Sequence, residues 1–378
     1  MPQAFIAGAA TTRFGRLDAP DPLELMAQAA QAALDDAQLE RPAIDGVLCG
    51  YATTLPHLML STLFCERFAL SPACAFAMQL GGATGGALLM AARDLVRAGT
   101  CRNVLVVAGE NRLSGQSRDA SIQTLAQVGD ARTEVPNGGS VPSYYALMAS
   151  RFLHETGLSE ADLAAFAVLM RRHAATHPDA HLRDPITEEQ VLASRPVSSP
   201  LKLLDCCPIS DGACALVVTA HPASGAVAML GAGQAHRHQH LSAWPDVRRS
   251  GAGDAAARAF ADAGCRVQDI ELLAVYDSFT ITLAMLLEEI GFAPRGGSAR
   301  TLRDGTYALG GPLPLNPHGG LLSFGHCGVA GGLAHAVEAY RQLAGKAGDR
   351  QLRRAGRAFV HADGGVMSSH VSLVLGGH

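Results

Sequence analysis

Residues 80–100 have the sequence LGGATGGALLMAARDLVRAGT. It opens with glycines, continues as an apolar helical run from Gly86 to Arg97, and reaches Gly99 where a helix would end. Glycine permits the backbone angles that tight turns and helix ends require. The pattern therefore predicts a turn around Gly82, a helix over 86–97 and then the apolar strand of residues 104–108.

The same order of elements occurs twice in the chain. Residues 33–49, which predict a helix, a polar turn and a buried strand, recur at a constant offset as 259–275. The helix and strand of 85–108 recur as 331–362. Helices that alternate with short apolar strands favour sheets covered by helices on both faces. The chain is therefore expected to contain two α/β halves related by duplication.

A segment of different character separates the halves. It is rich in Gln and Ser at first, then has helical patterning, and then runs through Pro-containing loops. The predicted division is 1–110 for the first half, 111–222 for an inserted segment that covers the site, and 223–378 for the second half. An ordinary third domain without a part in the chemistry is the alternative for the middle segment.

Composition excludes several classes of protein. No apolar run among the 378 residues approaches the ~20 that a membrane span needs. The first ten residues lack the basic and apolar regions of a signal peptide, so a cytoplasmic protein is expected. Nine cysteines without CxxC spacing predict reduced thiols and neither a disulfide framework nor a metal site. A net charge of -4 without a basic cluster argues against nucleic acid as a partner.

Three further motifs follow in order: PLKLLDCCPISDGA at 200–213, YDSFT at 276–280, and NPHGG at 316–320 with GHCG at 325–328. Together with the Gly82 turn they resemble the sterol-carrier-type branch of the thiolase superfamily over nearly the whole chain. The resemblance implies a five-layered αβαβα fold, a homodimer and an acyl-CoA thioester as ligand. Coenzyme A is then part of the substrate, and no separate cofactor or metal is expected.

Gly82 stands where the resemblance leads one to expect the catalytic cysteine of a thiolase. A glycine cannot form an acyl-cysteine intermediate. It can leave room for other groups, and backbone N–H groups at a helix N-terminus can hold a carbonyl or enolate oxygen. A turn glycine required only by backbone geometry is the alternative.

Tyr276 and His326 are the strongest catalytic candidates. Tyr276 follows the apolar strand 272–275, and α/β proteins bind ligands at the carboxyl ends of strands. A phenol there can give or take a proton. His326 lies in a Gly-rich turn, and the resemblance implies that this histidine binds the thioester oxygen. A packed tyrosine and a structural loop histidine are the alternatives.

The remaining candidates lie near the carboxyl terminus. The family's second cysteine has no counterpart in residues 361–369, so Asp363 or His361 is expected to replace it as base. Asn316 is expected either to bind a water molecule or to stabilise the turn in which it lies. Cys327 is either a nucleophile or a small buried side chain. The predicted catalytic residues are Tyr276, His326 and Asp363, and the predicted substrate-binding residues are Gly82, Asn316, His318, Cys327 and Gly364.

A noncovalent acid–base reaction on a CoA thioester follows from the missing cysteines and the added tyrosine. We predict retro-aldol cleavage of a β-hydroxyacyl-CoA, with Tyr276 taking the β-hydroxyl proton while His326 and loop amides hold the enolate. This pattern resembles the cysteine-lacking steroid side-chain aldolases, which pair with a small zinc-ribbon and OB-fold protein, so such a partner is expected. The second tyrosine of that group has no evident counterpart here. A thiolase-type acyltransferase and a noncatalytic acyl-CoA or lipid carrier are the alternatives.

Overall fold

The computed structural model describes residues 3–18, 21–221 and 225–377. The strands in these ranges are β1 (Phe5–Thr11), β2 (Gly46–Gly50), β3 (Cys74–Met78), β4 (Asn103–Asn111), β5 (Pro196–Ser198), β6 (Leu201–Lys202), β7 (Asp211–Thr219), β8 (Val227–His236), β9 (Leu272–Val275), β10 (Arg357–Gly364) and β11 (Ser369–Gly377). The helices are α1 (Pro22–Ala37), α2 (Leu60–Arg67), α3 (Thr84–Arg97), α4 (Arg118–Ala126), α5 (Val141–Thr156), α6 (Glu160–Ala174), α7 (Glu188–Ala193), α8 (Ala252–Ala263), α9 (Thr280–Ile290), α10 (Ser298–Arg303), α11 (Gly320–Ser323) and α12 (Val329–Leu343). Within the described ranges, none of these helices combines the length and apolar character needed to cross a bilayer.

Nine of the strands form one sheet in the order β3-β2-β4-β7-β1-β8-β11-β10-β9. From the centre outward, β1-β7-β4-β2 on one side matches β8-β11-β10-β9 on the other. The inner pairs are antiparallel: β1–β7 and β7–β4 on one side, β8–β11 and β11–β10 on the other. The outer pairs β2–β4 and β9–β10 are parallel. The two sides join through a short β1–β8 pairing at Phe5 and Ile6. The duplicated halves predicted from the sequence are therefore present.

Five layers arise because most strands of the nine-stranded sheet bury both faces. Leu272 and Ala274 of β9 face the central cluster that contains α3 and α12, whereas Leu273 and Val275 face the outer cluster that contains α8 and α9. Alternation of side chains along a strand produces this division. In the first half, α1 and α2 cover the outer face. The predicted αβαβα fold is confirmed.

The insertion between β4 and β7 carries α4 to α7 and the β5–β6 hairpin. Its α5 and α6 pack on α9 and on the outer cluster of the second half. The predicted boundary at residue 222 needs correction, because β7 pairs with β4 from Asp211 to Thr219 and is a core strand. The inserted segment therefore ends near residue 210, just after the last proline loop.

Candidate active site

A cavity of about 500 Å³ lies where the two halves and the insertion meet. All three parts of the chain contribute side chains to its wall, so no half forms the site alone. The residues that carry its chemistry are Tyr51, Thr53, Gly82, Glu110, Arg112, Tyr145, Cys206, Cys207, Tyr276, His326 and Asp363.

Tyr276 and His326 meet in this cavity. The Tyr276 N–H donates to the carbonyl of His361 at 3.0 Å, which extends the β9–β10 pairing and fixes the tyrosine at the strand end. His326 is held in its turn by two backbone hydrogen bonds, to Pro208 and from Ser210. As a result, Tyr276 Oη lies 2.9 Å from His326 Nε2.

Burial keeps both groups of this pair uncharged. Burial raises the pKa of the Tyr276 phenol well above its usual value. Burial, with the positive charge of Arg112, lowers the pKa of His326 to about 3. At neutral pH a phenol therefore faces a neutral imidazole, and a single proton lies between Oη and Nε2.

The space around Gly82 leaves no room for a side chain at this position. A Cβ atom added to Gly82 would overlap the Tyr276 hydroxyl and the Asp363 carbonyl oxygen, and would lie 2.5 Å from the Tyr276 ring carbon Cζ. The positive backbone angle of this turn belongs to Gly81, with φ 58°, so a turn geometry does not explain the glycine at 82. The Tyr276 hydroxyl occupies the place that any side chain at position 82 would need.

Asp363 is the penultimate residue of β10, lies beside this pair and is 1% exposed. Its Oδ2 accepts a hydrogen bond from the Tyr145 hydroxyl at 3.2 Å, while Oδ1 has no hydrogen-bond partner among the described residues. Burial raises the pKa of the Asp363 carboxyl well above its usual value. Burial therefore favours the protonated form of this carboxyl, which can give a proton and lies in the cavity wall.

Tyr145 is the contribution of the insertion to the site. It lies on α5, is 2% exposed, and stacks on Phe279 with ring centroids 4.4 Å apart. The sequence offers no signal for this residue, because its partner Asp363 is 218 positions away in the chain. Tyr145 places a phenol beside Asp363 in the cavity.

Four predicted substrate-binding residues lie outside the cavity wall. The side-chain amide of Asn316 accepts from the Val275 N–H at 2.7 Å and donates to the Val275 carbonyl at 2.8 Å, so it holds the end of β9. His318 is buried against His335 and Phe324. These two residues support the strand and turn that carry the site.

Cys327 and Gly364 are the other two. Cys327 is fully buried in the central cluster, and burial raises the pKa of its thiol, so it is not placed as a nucleophile. Gly364 lies against the Gly82 turn, where a Cβ would come within 2.9 Å of the Ala83 nitrogen. His361, the alternative base, forms hydrogen bonds with Ser372 and His370 and is not among the residues that line the cavity.

Two kinds of cavity residue were missed by sequence reasoning. Glu110 and Arg112 lie at the end of β4, where the strand-end rule applied to Tyr276 would have found them. Cys206 and Cys207 lie within the motif 200–213 and also line the cavity. Burial raises the pKa of Cys206 to about 12 and also raises that of Cys207, so both remain protonated thiols.

Metal chemistry receives no support from side-chain placement in the described ranges. No group of three or more His, Cys, Asp or Glu side chains there could hold a metal ion. The groups that line the cavity include three phenols, one imidazole, two carboxyls, two guanidinium groups, two thiols and backbone groups near the starts of α3 and α12.

Comparison with known proteins agrees with this architecture. Residues 4–221 match the family model "Thiolase, N-terminal domain", and residues 233–377 match "Thiolase C-terminal domain-like". An acetyl-CoA acetyltransferase of Methanothermobacter thermautotrophicus is 32% identical over 95% of this chain and 96% of the relative. A steroid side-chain-cleaving aldolase of Thermomonospora curvata is 31% identical over 89% of this chain and 90% of the relative.

A solved structure, that of the "Ltp2-ChsH2(DUF35) aldolase", superposes with a TM-score of 0.87 at 29% identity. The match covers 100% of this chain and 98% of the solved one. The family matches cover both halves and the insertion between them. The chain therefore belongs to the thiolase superfamily.

Proposed function

We propose that the protein cleaves a β-hydroxyacyl-CoA by a retro-aldol reaction without a covalent intermediate. The observation that carries this proposal is the Tyr276 hydroxyl, which fills the space of a side chain at position 82 and bonds to His326. Aldolases are also among the proteins that this chain resembles, in sequence and in structure.

The Tyr276–His326 pair acts as the base. The β-hydroxyl gives its proton to Tyr276 Oη as the phenol proton moves to His326 Nε2, because the buried phenol cannot start as a phenolate. The bond between the α and β carbons then breaks, which leaves a carbonyl product and a thioester enolate. The family resemblance assigns His326 to the thioester oxygen, but its Nε2 is already bonded to Tyr276.

The enolate oxygen is therefore assigned to the starts of two helices. Helix α3 begins at Thr84, two residues after Gly82, and α12 begins at Val329, three residues after His326. Helix N-termini carry partial positive charge and stabilise an oxyanion. Negative charge on the enolate also offsets the cost of the imidazolium that forms at His326.

Asp363 completes the reaction as an acid. Its carboxyl is held neutral by burial and receives a hydrogen bond from Tyr145, so it can protonate the α carbon of the enolate. The products are one aldehyde or ketone and one shortened acyl-CoA. The imidazolium proton then returns through water to the Asp363 carboxylate, and all groups regain their starting states.

The acyltransferase alternative needs a thiolate in the cavity, and it draws on the acetyltransferase relative. Cys327 lies in the central cluster, outside the cavity wall. Cys206 lines the cavity, but its thiol donates to the Lys202 carbonyl at 3.3 Å and burial holds it protonated. These observations favour the noncovalent reaction.

Product analysis tests the proposal. The protein is incubated with a β-hydroxyacyl-CoA in the absence of free coenzyme A, and products are followed by liquid chromatography and mass spectrometry. We expect one carbonyl compound for each shortened acyl-CoA. Cleavage of a 3-ketoacyl-CoA only after coenzyme A is added would establish the acyltransferase, and binding with neither reaction would establish a carrier.

We propose that coenzyme A enters as part of the substrate, without a separate cofactor, and that the protein acts as a homodimer with a small partner. The edge strand β3 supports the dimer, since it pairs on one side only and its Phe76 and Met78 are half-buried. The name of the similar aldolase includes a second component, ChsH2(DUF35), which supports a small partner protein. Following the family resemblance, we expect this partner to have zinc-ribbon and OB-fold parts.

The pH dependence of cleavage follows from the shifted pKa values. His326, with its pKa lowered to about 3, stays neutral above that pH, and Tyr276, with its pKa raised, stays neutral below about pH 10. We expect kcat/KM not to fall between pH 7.5 and 5.5, because a lower pH also favours the protonated form of Asp363, whose pKa burial raises. A fall in kcat/KM on the acid side with an inflection near 6.5, the usual value for histidine, would contradict the assignment.

A further inference from the structure

A buried ion pair with spare hydrogen-bond donors lies in the cavity wall. Arg112 follows β4 and is 6% exposed, and its Nε lies 3.5 Å from Glu110 Oε2. Both carboxylate oxygens of Glu110 already accept hydrogen bonds from Thr53, from its N–H and from its hydroxyl, each at 2.8 Å. Within the described chain, Nε and Nη2 of Arg112 have no hydrogen-bond partner.

This arrangement leaves the guanidinium incompletely paired. Arginine has five N–H donors, and a buried donor without an acceptor costs ~1–3 kcal/mol, more when it is charged. The contact with Glu110 is an ion pair too long for a hydrogen bond. A ligand that brings an acceptor oxygen to this wall of the cavity would supply what the protein lacks.

Arg112 reaches the cavity from a different half of the chain than Tyr276 and Asp363. Arg112, Glu110 and Thr53 follow or end β2 and β4 of the first half, whereas Tyr276 and Asp363 lie at the ends of β9 and β10 of the second half. Both sets line the same cavity, with His326 near Arg112. We therefore assign to Arg112 an oxygen other than the β-hydroxyl oxygen that bonds to Tyr276.

We propose that Arg112, held by Glu110, binds a second oxygen function on the acyl chain, either a keto oxygen or a carboxylate. The inference rests on the proposed function for the orientation of the substrate, although the binding itself does not require turnover. It names a class of substrate: CoA thioesters whose acyl group carries an acceptor oxygen beyond the thioester. The rest of the cavity wall includes the apolar side chains of Leu113, Leu125 and Val128, which suit the carbon chain.

Keto and carboxylate oxygens differ in the charge that they bring. The Arg112–Glu110 pair has no net charge, so a keto oxygen can be bound without further change. A carboxylate would leave one excess negative charge, which Glu110 can remove by taking up a proton, since burial raises its pKa. Carboxylate binding is therefore expected to be accompanied by proton uptake, and keto binding is not.

Calorimetric titration with three thioesters of similar length tests the proposal: hexanoyl-CoA, 5-oxohexanoyl-CoA and glutaryl-CoA. We expect at least one oxygenated thioester to bind about tenfold more tightly than hexanoyl-CoA, as one charge-assisted hydrogen bond would give. Titrations in buffers of different ionisation enthalpy detect the proton uptake that marks the carboxylate. Arg112→Met is expected to remove the preference for the oxygenated thioesters over hexanoyl-CoA.

Two further variants keep the test decisive. Arg112→Lys keeps a positive charge opposite Glu110 and replaces Arg112→Met if that variant fails to fold; it is expected to lose most of the preference, because the planar fork of donors is gone. Arg195→Met is the matched control, because Arg195 lines the same cavity but is exposed. This variant should keep the preference for the oxygenated thioesters.

Equal affinity of the wild type for all three thioesters would overturn the proposal. So would a preference that survives in the Arg112 variants, or one that Arg195→Met removes. Because these titrations need no turnover, they remain readable if cleavage is never observed. The failure of this inference and the failure of the proposed reaction are therefore separate results.

Discussion

Replacement of Tyr276 by phenylalanine is expected to lower kcat/KM for β-hydroxyacyl-CoA cleavage by about 10³-fold, within the range typical of a lost acid–base group. Phenylalanine keeps the ring that packs in the outer cluster of the second half and removes only the hydroxyl that bonds to His326 at 2.9 Å. The dissociation constant for an acyl-CoA product should change by less than about threefold, because the loss falls on proton transfer.

Tyr144→Phe is the matched control for this variant. Tyr144 is the neighbour of Tyr145 on α5 and is buried to a similar extent as Tyr276. It lines a separate cavity. Its replacement should leave kcat/KM within about twofold of the wild-type value. Cleavage by Tyr276→Phe at more than a tenth of the wild-type rate would show that the phenol does not carry the proton.

Replacement of Gly82 by alanine is expected to damage both stability and catalysis. The added Cβ overlaps the Tyr276 hydroxyl and the Asp363 backbone oxygen, and overpacking of this kind costs ~1–3 kcal/mol of unfolding free energy. Displacement of the phenol by about 1 Å should lower kcat/KM by about 10²-fold. Gly82→Cys should show the same losses without gaining thiolase activity, because the thiol and the phenol compete for one space.

Gly310→Ala is the control for the glycine variant, since a Cβ at Gly310 meets no atom within 4 Å. A double-mutant cycle locates the clash. Gly82→Ala and Tyr276→Ala together should destabilise the protein by less than the sum of the two single changes, measured by urea denaturation. Tyr276→Ala will relieve only part of the clash at position 82, because the Asp363 carbonyl remains in place. Strict additivity would mean that the two residues do not share space.

Much of the fold could be predicted because its signals are local. Two α/β halves follow from a helix-and-strand pattern that occurs twice, and Gly99 falls at the end of α3 with φ 73°. The end of the insertion was misplaced because the Pro-containing loops continue directly into β7. The place of β7 in the sheet depends on its pairing with β4. This pairing is nine residues long and joins distant parts of the chain.

The site was predictable where strand ends and glycine turns mark it. Tyr276 and His326 were found by that rule, and the structure brings them together. The role of Asn316 stayed open because its amide suits either a ligand or a turn, and the two bonds to Val275 show that it serves the turn. Tyr145 could not be predicted, because its position depends on how α5 of the insertion packs against the second half.

Acid quenching of the protein after incubation with a radiolabelled acyl-CoA tests the absence of covalent catalysis most directly. With no activated thiol in the cavity, denatured protein should carry no label, while a labelled β-hydroxyacyl-CoA is still converted to its carbonyl product and shortened thioester. About one equivalent of acid-stable, hydroxylamine-labile label per chain, mapped to Cys206, Cys207 or Cys327, would contradict the account.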